Sequence, residues 1–377
     1  MVNSPPHPFV FRYMDRELGP LRTRREFLSS ATLSTLLAVL PSALAEGCGR
    51  EFTTEIKPVV SVVRIRNGNI DAAVEQAIEL LGGMAAITRG KERILLKPNL
   101  VAPEPAATTK LPVMRALVRL MRAAHKDVSI GEGSAAAAPF NMRGDQTFRT
   151  SNKELLDGLQ QRVFDDLGYT EFSQAQKVPL INLHTGDLVN VNVPGALLFH
   201  KLTLHRSLVE TDLLCSVPMM KTHVLAGVTL GLKNLIGLYP GAVYQALRGN
   251  MHDLAAKIEP SATAAPILDM LRANKLGLVV IDASSAMEGN GPSDGTLVPM
   301  ETIVAGTNPL ATDMVAASLM GFEPTEISTF MWAHKIGLRP RRLDEIETRG
   351  EPLDRLRRAF VRPVLVPWNP ADAPLLS

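Results

Sequence analysis

The sequence predicts an α/β fold: a mainly parallel, Rossmann-like sheet with helices on both faces and a small appended β hairpin. Short, continuous apolar runs alternate along the chain with segments of helical periodicity, a pattern typical of strands buried on both faces. In addition, the segments 188–193 and 196–204 flank Pro194–Gly195, which predicts the hairpin. With 377 residues, 46% of them hydrophobic, the chain can bury a sizeable core. We expect a single α/β domain at 58–350, preceded by a linker at 46–57 and followed by a tail at 351–377.

Residues 1–45 resemble a twin-arginine signal peptide. Arg24 and Arg25 precede Phe27 and Leu28, a moderately apolar segment runs from 31 to 40, and Ala43–Ala45 resembles a cleavage site. The apolar run is too short for a permanent transmembrane helix. The motif implies the twin-arginine translocation machinery as a partner and a periplasmic or other extracytoplasmic location. Lipid attachment at Cys48 is an alternative that the residues leave open, although Glu46 is out of character there.

In the first half of the domain, proline, glycine and asparagine set the element boundaries. Asn69 caps the first predicted helix and Gly82–Gly83 end it, while Pro98 stops the second strand. The irregular segment 134–150 is a candidate lid. The predicted strands are 58–66, 93–97, 127–131 and 178–183, and the predicted helices are 70–81, 112–125 and 153–167.

In the second half, the apolar run 213–217 is expected to end at Pro218 and leave Lys221–His223 on a loop. Asn250 can cap a helix that starts at Met251, and 287–295 reads as a glycine-rich loop. The Arg-rich end of the chain is expected to be a solvated face. The remaining predicted strands are 276–282 and 302–305, and the last clear helix is 309–320.

Polar side chains gather at the predicted carboxyl ends of these strands, where ligands bind in open parallel sheets. They occur after five different strands: Lys97 and Asn99, Glu132, Lys221 with His223, Asp282 with Glu288, and Asn308. The segment Lys233–Asn234 adds a further cation and amide. Because parallel strands point the same way, we expect these residues to form one site at the carboxyl edge of the sheet.

The same residues lie in motifs that resemble the family catalogued as domain of unknown function 362. These motifs are Leu96–Leu100, Gly131–Gly133, Val217–His223, Leu232–Gly237, His252, Met287–Pro292 and Ala305–Pro309. The resemblance runs from about residue 59 to residue 350 and implies no reaction, because the family has no settled activity. Met219 stands where many relatives have a lysine, and the cysteine clusters of some relatives are missing.

The expected roles follow from the chemistry of each side chain. Lysines, asparagines and a carboxylate can hold an anionic group, and a histidine can transfer protons. The predicted substrate-binding residues are Lys97, Asn99, Glu132, Lys233, Asn234 and Asn308, and the predicted catalytic residues are His223, Lys221 and Glu288. A divalent metal is the candidate cofactor, with His223, His252 and Asp282 as its candidate ligands. The spacing of 29 residues between the two histidines matches no recognisable zinc motif.

Composition excludes several classes of function. Aromatic residues make up 5% of the chain and the net charge of +2 is carried by residues 1–45, which argues against nucleic-acid binding. Cys48 and Cys215 cannot hold an iron–sulfur cluster by themselves, and neither a phosphate-binding loop nor a nucleophile elbow is present. The expectation is therefore an exported enzyme that acts on a small anionic substrate. The alternative is a non-catalytic binding protein for a small anion or metal complex.

Overall fold

The computed structural model describes residues 57–376. The expected twin-arginine signal, its cleavage site and Cys48 lie outside this part of the chain. The strands are β1 Val59–Arg64, β2 Arg93–Pro98, β3 Asp127–Glu132, β4 Met142–Arg143, β5 Gln146–Thr147, β6 Leu180–Asn182, β7 Leu188–Asn192, β8 Lys201–His205, β9 Leu213–Val217, β10 Met219–His223, β11 Gly227–Thr229, β12 Leu276–Asn290, β13 Asp294–Val298, β14 Thr302–Gly306 and β15 Glu347–Gly350.

Helices connect most of these strands. The α-helices are α1 Ile70–Glu79, α2 Met84–Ile87, α3 Leu111–Ala123, α4 Lys153–Asp166, α5 Tyr169–Gln176, α6 Arg206–Glu210, α7 Gly241–Tyr244, α8 Gly249–Ala255, α9 Ala264–Ala273, α10 Pro309–Leu319, α11 Ser328–Lys335 and α12 Leu353–Leu356. Short 3₁₀ helices lie at Pro105–Ala107, Lys233–Leu238, Ala246–Arg248, Pro324–Glu326, Leu343–Glu345 and Pro370–Asp372. None of the helices within residues 57–376 has both the length and the apolar character that a bilayer crossing requires.

The predicted fold class is confirmed: an 11-stranded, mostly parallel sheet carries helices on both faces. Its main path is β15-β1-β14-β12-β9-β2-β3-β6, and β10, β11 and β13 extend from it. Successive side chains of β9 alternate between two hydrophobic clusters, as a strand buried on both faces requires. Leu214 belongs to the cluster that includes buried residues of α9, α10 and α11, whereas Leu213 and Cys215 belong to the cluster that includes buried residues of α1, α3 and α4.

The appended hairpin is also present. Strands β7 and β8 pair antiparallel, from Leu188 opposite His205 to Asn192 opposite Lys201. The connection between them is anchored by Asp269, whose carboxylate accepts the backbone N–H groups of Leu197, Leu198 and Phe199 at 2.7–2.8 Å.

Strand β14 departs from the parallel pattern, and this moves one predicted site residue. It pairs antiparallel with both β1 and β12, so Gly306 lies opposite Val279 near the start of β12. The chain after β14 therefore leaves from the opposite edge of the sheet. Asn308, expected at the carboxyl edge, instead caps α10 there by accepting the N–H of Ala311.

Two predicted loops are strands. Pro218 cannot donate a ladder hydrogen bond, but its carbonyl accepts the N–H of Asp282 at 2.8 Å, and the chain continues directly as β10. Lys221–His223 thus belong to a strand that pairs with β11 and β12. Likewise, β12 continues through the expected loop to Asn290 and turns back into β13.

Candidate functional site

A cleft of about 600 Å³ lies where the parallel strands β2 and β3 end. Part of the segment 134–150 lines it, including Ala135, Met142 and Thr147, and so does Trp368 near the end of the chain. Seven of the predicted site residues line it as well: Lys97, Asn99, Glu132, His223, Lys233, Asn234 and His252. The cleft therefore brings together most of the residues that the sequence singles out.

The base of the cleft holds a buried ion pair. Lys97 and Glu132 are 1% and 2% exposed, and Lys97 Nζ lies 2.7 Å from Glu132 Oε1. The ammonium also donates to the carbonyl of Pro98 and to Asn234 Oδ1, each at 3.0 Å, which uses all of its donors. Burial lowers the pKa of Lys97, and the attraction of Glu132 opposes this change. Glu132 in turn accepts the N–H groups of Leu100 and Gly133 at 2.9 and 2.8 Å.

Two glycines permit this packing. A Cβ atom at Gly237 would lie 2.5 Å from Glu132 Oε1 and 2.7 Å from Lys97 Nζ, and one at Gly133 would lie 2.6 Å from Arg248 Nη2. Such distances are too short for any side chain. The glycines of the two motifs at 131–133 and 231–237 thus allow the backbone to close around the charged groups.

Asn234 connects the ion pair to the sheet. Its Nδ2 donates to the carbonyl of Lys97 at 3.1 Å and to Ser216 Oγ at 3.0 Å. Asn99 donates a long, 3.4 Å bond to Asn234 Oδ1, while its own Oδ1 is buried without a partner in residues 57–376. Asn234 is therefore engaged by the protein, and Asn99, which lines the cleft, keeps one acceptor that is unpaired in the described chain.

Arg248, which the sequence analysis missed, adds a second buried cation. It is 2% exposed, and its guanidinium donates to the carbonyls of Ser134 at 2.9 Å, Tyr239 at 3.2 Å and Gly133. Burial lowers the pKa of Arg248 to about 10, against the raising effect of Glu132. The one available signal was its position, four residues before His252.

Lys233 differs from the other cations of the cleft. Its amine has no hydrogen-bond or ion-pair partner within residues 57–376, although a carboxylate fixes the chain just before it: Asp313 accepts the N–H groups of Gly231 and Leu232, each at 2.8 Å. Burial, followed by the positive charges of Arg248 and Lys97, lowers the pKa of Lys233 to about 7. The cleft thus presents an unpaired amine that is about half protonated near neutral pH.

The two histidines of the cleft are held as opposite tautomers. His223 Nδ1 accepts the N–H of Leu225 at 3.0 Å, so the neutral ring carries its proton on Nε2. His252 Nδ1 lies 2.8 Å from the carbonyl of Ala262, so that nitrogen donates and Nε2 keeps a lone pair. The cleft therefore receives one imidazole donor and one imidazole acceptor.

Both rings are neutral at physiological pH. Burial, with the added charges of Lys233 and Lys221, holds the pKa of His223 well below its usual range. Burial and Lys233 lower the pKa of His252 to about 3. Trp368 stacks on His252 with ring centroids 4.6 Å apart, and its Nε1 donates to Asp253 Oδ1 at 2.8 Å. The C-terminal segment thus forms one wall of the cleft.

Three of the predicted residues at the carboxyl edge do not line the cleft. Lys221 is fully buried, and its Nζ donates to the carbonyls of Ala107 at 2.8 Å and Pro292 at 3.2 Å. Burial, Lys233 and Lys110 lower its pKa to about 7. Glu288 lies on the extension of β12 and accepts the N–H of Val361 at 3.0 Å. Strand pairing carries both residues away from the cleft, because each belongs to a strand rather than to the expected loop.

Asp282 is the third, and its position bears on the metal hypothesis. Its carboxylate accepts the N–H of Lys110 at 2.8 Å and both the N–H and the hydroxyl of Ser284, at 3.0 and 2.6 Å. Within residues 57–376, no group of three or more His, Cys, Asp or Glu side chains is arranged to hold a metal ion. The described residues place His223 and His252 in one cleft without the third ligand that was expected from Asp282.

Residues 94–318 match the family model described as "Domain of unknown function (DUF362)". The chain belongs to the DUF362 family. The match includes Lys97, Lys233, Arg248 and His252, but it ends before Trp368. The family match therefore covers the charged base of the cleft and leaves the wall formed by the C-terminal segment outside.

Three proteins are distantly similar to this DUF362 chain. Thylakoid-associated protein sll1697 of Synechocystis sp. is 25% identical over 287 residues, which cover 74% of this chain and 80% of that protein. The lactate racemase apoprotein of Thermoanaerobacterium thermosaccharolyticum is 16% identical with a TM-score of 0.42, over 70% of this chain and 57% of that one. A Thermotoga maritima protein of known crystal structure is 15% identical with a TM-score of 0.37, over 67% of this chain and 58% of that one. At these values, the two solved structures say nothing about the chemistry of this chain.

Proposed function

We propose that this protein is an enzyme that acts on a small anionic substrate bound in the strand-end cleft. The observation that carries the proposal is Lys233, a cleft amine without a partner in the described part of the chain. Lys97 and Arg248 add positive charge nearby, and Glu132 is the one buried carboxylate among the residues that line the cleft. A carboxylate or phosphate group of a substrate would supply the missing negative charge.

Neutral hydrogen-bonding groups surround this charge. Thr229 lines the cleft, is 3% exposed, and its Oγ1 has no partner within residues 57–376. The hydroxyl of Thr229 and the Nε2–H of His223 are donors for a bound anion, while His252 Nε2 is an acceptor. A substrate that carries both an anionic group and a neutral polar group fits this set. Because both rings are neutral, His223 donates a hydrogen bond to the substrate, and His252 Nε2 supplies a lone pair that can accept a proton.

A non-catalytic binding protein for a small anion is the second candidate. It is favoured by the engagement of Lys97, Glu132 and Asn234 with one another and with the backbone, which commits their polar groups to contacts within the protein. On this alternative Lys233 attracts the anion and the neutral donors orient it, with no chemical step.

Ligand-induced stabilisation tests anion binding at Lys233, which the enzyme and the binding protein have in common. Pyruvate, succinate and inorganic phosphate, each at millimolar concentration, should include at least one compound that raises the Tm of the wild type. Lys233→Met should abolish the increase, whereas Lys153→Met, at an exposed lysine on α4, should preserve it. The proposal fails if no anion stabilises the protein or if Lys233→Met responds as the wild type does. Product formation from the stabilising compound, followed by proton NMR, then distinguishes an enzyme from a binding protein.

We also propose that the protein is exported by the twin-arginine route. The support is the spacing of Arg24 and Arg25 before Phe27–Leu28 and the Ala43–Ala45 segment. Replacing both arginines with lysine should leave the full-length chain in the cytoplasmic fraction. Mature protein outside the cytoplasm in that variant would overturn the proposal, and N-terminal mass analysis of the mature chain distinguishes cleavage near Ala45 from lipid attachment at Cys48.

A further inference from the structure

Lys233 combines three features that a purely anion-attracting lysine does not need. It lines the cleft, its amine has no acceptor within residues 57–376, and it lies among cations that disfavour its protonation. Lys97 supplies the contrast, because all of its donors are used by Glu132, Asn234 and Pro98. An amine that lines a cleft, lacks an acceptor and is partly unprotonated at neutral pH is a nucleophile.

We propose that Lys233 forms an imine with the carbonyl carbon of a small oxo acid. This inference rests on the proposed function and names its substrate class. The carboxylate of the oxo acid is held by the neutral donors Thr229 Oγ1 and His223 Nε2, in the positive field of Lys97 and Arg248. The amine of Lys233 is thereby left for the carbonyl group.

The step balances without an additional reactant. The lone pair of the Lys233 amine forms the C–N bond, and the carbonyl π pair moves to oxygen, which takes up a proton to give a carbinolamine. The carbinolamine nitrogen then expels the hydroxyl as water, after that oxygen gains a second proton, and the C=N bond forms. The net reaction joins amine and carbonyl and releases one water molecule. The two protons that the oxygen takes up are the two that leave the amine nitrogen, so the step consumes no acid. His252 Nε2 lies in the cleft as an acceptor that can relay them, while the neutral ring of His223 stays hydrogen-bonded to the carboxylate.

The electrostatic environment of Lys233 supports the same step. With a pKa of about 7, the amine is about half neutral at pH 7. An ordinary exposed lysine, with a pKa of about 10.4, is neutral in roughly one molecule in 2,500 at that pH. Lys221 has a similarly lowered pKa, but its donors are directed to Ala107 and Pro292 and it does not line the cleft. The structure therefore selects Lys233 from the lysines of the described chain.

Reductive trapping tests the inference. The full-length protein is incubated at pH 7 with pyruvate, or with glyoxylate as a smaller probe, in the presence of cyanoborohydride. Intact mass and peptide mapping should show one reduced adduct per chain, at Lys233. The rate of trapping should rise between pH 6 and 8 and then level off, since it follows deprotonation of this amine, whereas adducts at surface lysines should increase up to pH 10.

Lys233→Arg is the decisive variant, because arginine keeps the positive charge and cannot form an imine. It should lose the adduct by more than about tenfold and retain the stabilisation by pyruvate, whereas Lys153→Arg should behave as the wild type. Circular dichroism confirms that each variant is folded. Imine formation is refuted if neither probe gives an adduct, or if adducts spread over many lysines and persist in Lys233→Arg. If anions still stabilise the wild type in a Lys233-dependent way, the proposed function survives that result; if they do not, both proposals fail.

Discussion

Lys97 and Lys233 line the same cleft, yet their amines have opposite environments. Lys97 is 1% exposed, and its three donors meet Glu132, Asn234 and Pro98. Lys233 meets no acceptor within residues 57–376, and the cations Arg248 and Lys97 contribute to lowering its pKa. A buried charge with complete partners is structural, because removing one partner leaves the other buried and uncompensated, which destabilises the fold. A cleft amine without partners contributes little to folding and remains available to a ligand.

The largest expected effect on stability comes from removing the amine of Lys97 from its three partners. Lys97→Met leaves Glu132 buried with two backbone donors and no ion-pair partner, and we expect a loss of about 3–5 kcal/mol in the free energy of unfolding. Urea denaturation measures it, with Lys153→Met as the exposed control. In contrast, Lys233→Met should not destabilise the protein near neutral pH, because it removes an amine whose protonation is disfavoured by burial and by neighbouring cations. Equal losses of unfolding free energy in Lys97→Met and Lys233→Met would contradict the distinction between a structural and an available lysine.

Lys221 tests whether partners, rather than a lowered pKa, make a lysine structural. Its pKa is also about 7, but Lys221→Met removes the donor from the buried carbonyls of Ala107 and Pro292. We expect a loss of about 1–3 kcal/mol together with retained stabilisation by the anion that binds the wild type. Loss of anion binding in a folded Lys221→Met protein would show that this lysine reaches the ligand.

The pH dependence of stability, compared between the wild type and Lys233→Met, reports the titration of the Lys233 amine. Its pKa is about 7 in the folded protein, below the ordinary value of 10.5, so between these values the unfolded chain binds more protons at this position. The stability of the wild type relative to Lys233→Met should therefore rise with pH above about 7, and the penalty is fully present below it. Thermal unfolding of both proteins from pH 6.5 to pH 9.5 measures this difference. A constant difference across the range would mean that the amine titrates normally.

The smallest expected effect concerns the wall of the cleft. Trp368→Ala removes the ring stacked on His252, and we expect a loss of about 0.5–1.5 kcal/mol in unfolding free energy. It should weaken the binding of the anion less than Lys233→Met does, because the indole carries no charge. Trp368→Phe should restore most of the stability. Isothermal titration of the three variants with the same anion ranks these contributions, and a larger loss of affinity in Trp368→Ala would overturn the ranking.

The strand-end rule predicted most of the cleft from the sequence, and it failed where strand direction or length changed. Lys97, Glu132 and Asn99 follow parallel strands and meet as expected. Asn308 follows β14, which runs antiparallel to its neighbours. The carboxyl end of β14, and Asn308 with it, therefore lies at the opposite edge of the sheet. Glu288 was expected on a loop, but β12 continues through it and directs its carboxylate to the N–H of Val361. Apolar runs identify strands; their direction depends on contacts between distant segments.

From the sequence alone it was possible to predict that the sheet is mainly parallel, because apolar periodicity and proline or glycine boundaries are local properties. The same strand-end reasoning grouped Lys97, Glu132, His223, Lys233, Asn234 and His252, all of which line one cleft. Only the tertiary structure decided which of the lysines is engaged and which is available. That choice depends on carbonyls and side chains from residues far apart in the chain, such as Ala107 for Lys221 and Glu132 for Lys97. It likewise brought Arg248 and Trp368 to the cleft, although Trp368 carries no local signal of its position and Arg248 has only its nearness to His252 in the sequence. Charge compensation is a property of three-dimensional neighbours, and no local pattern encodes it.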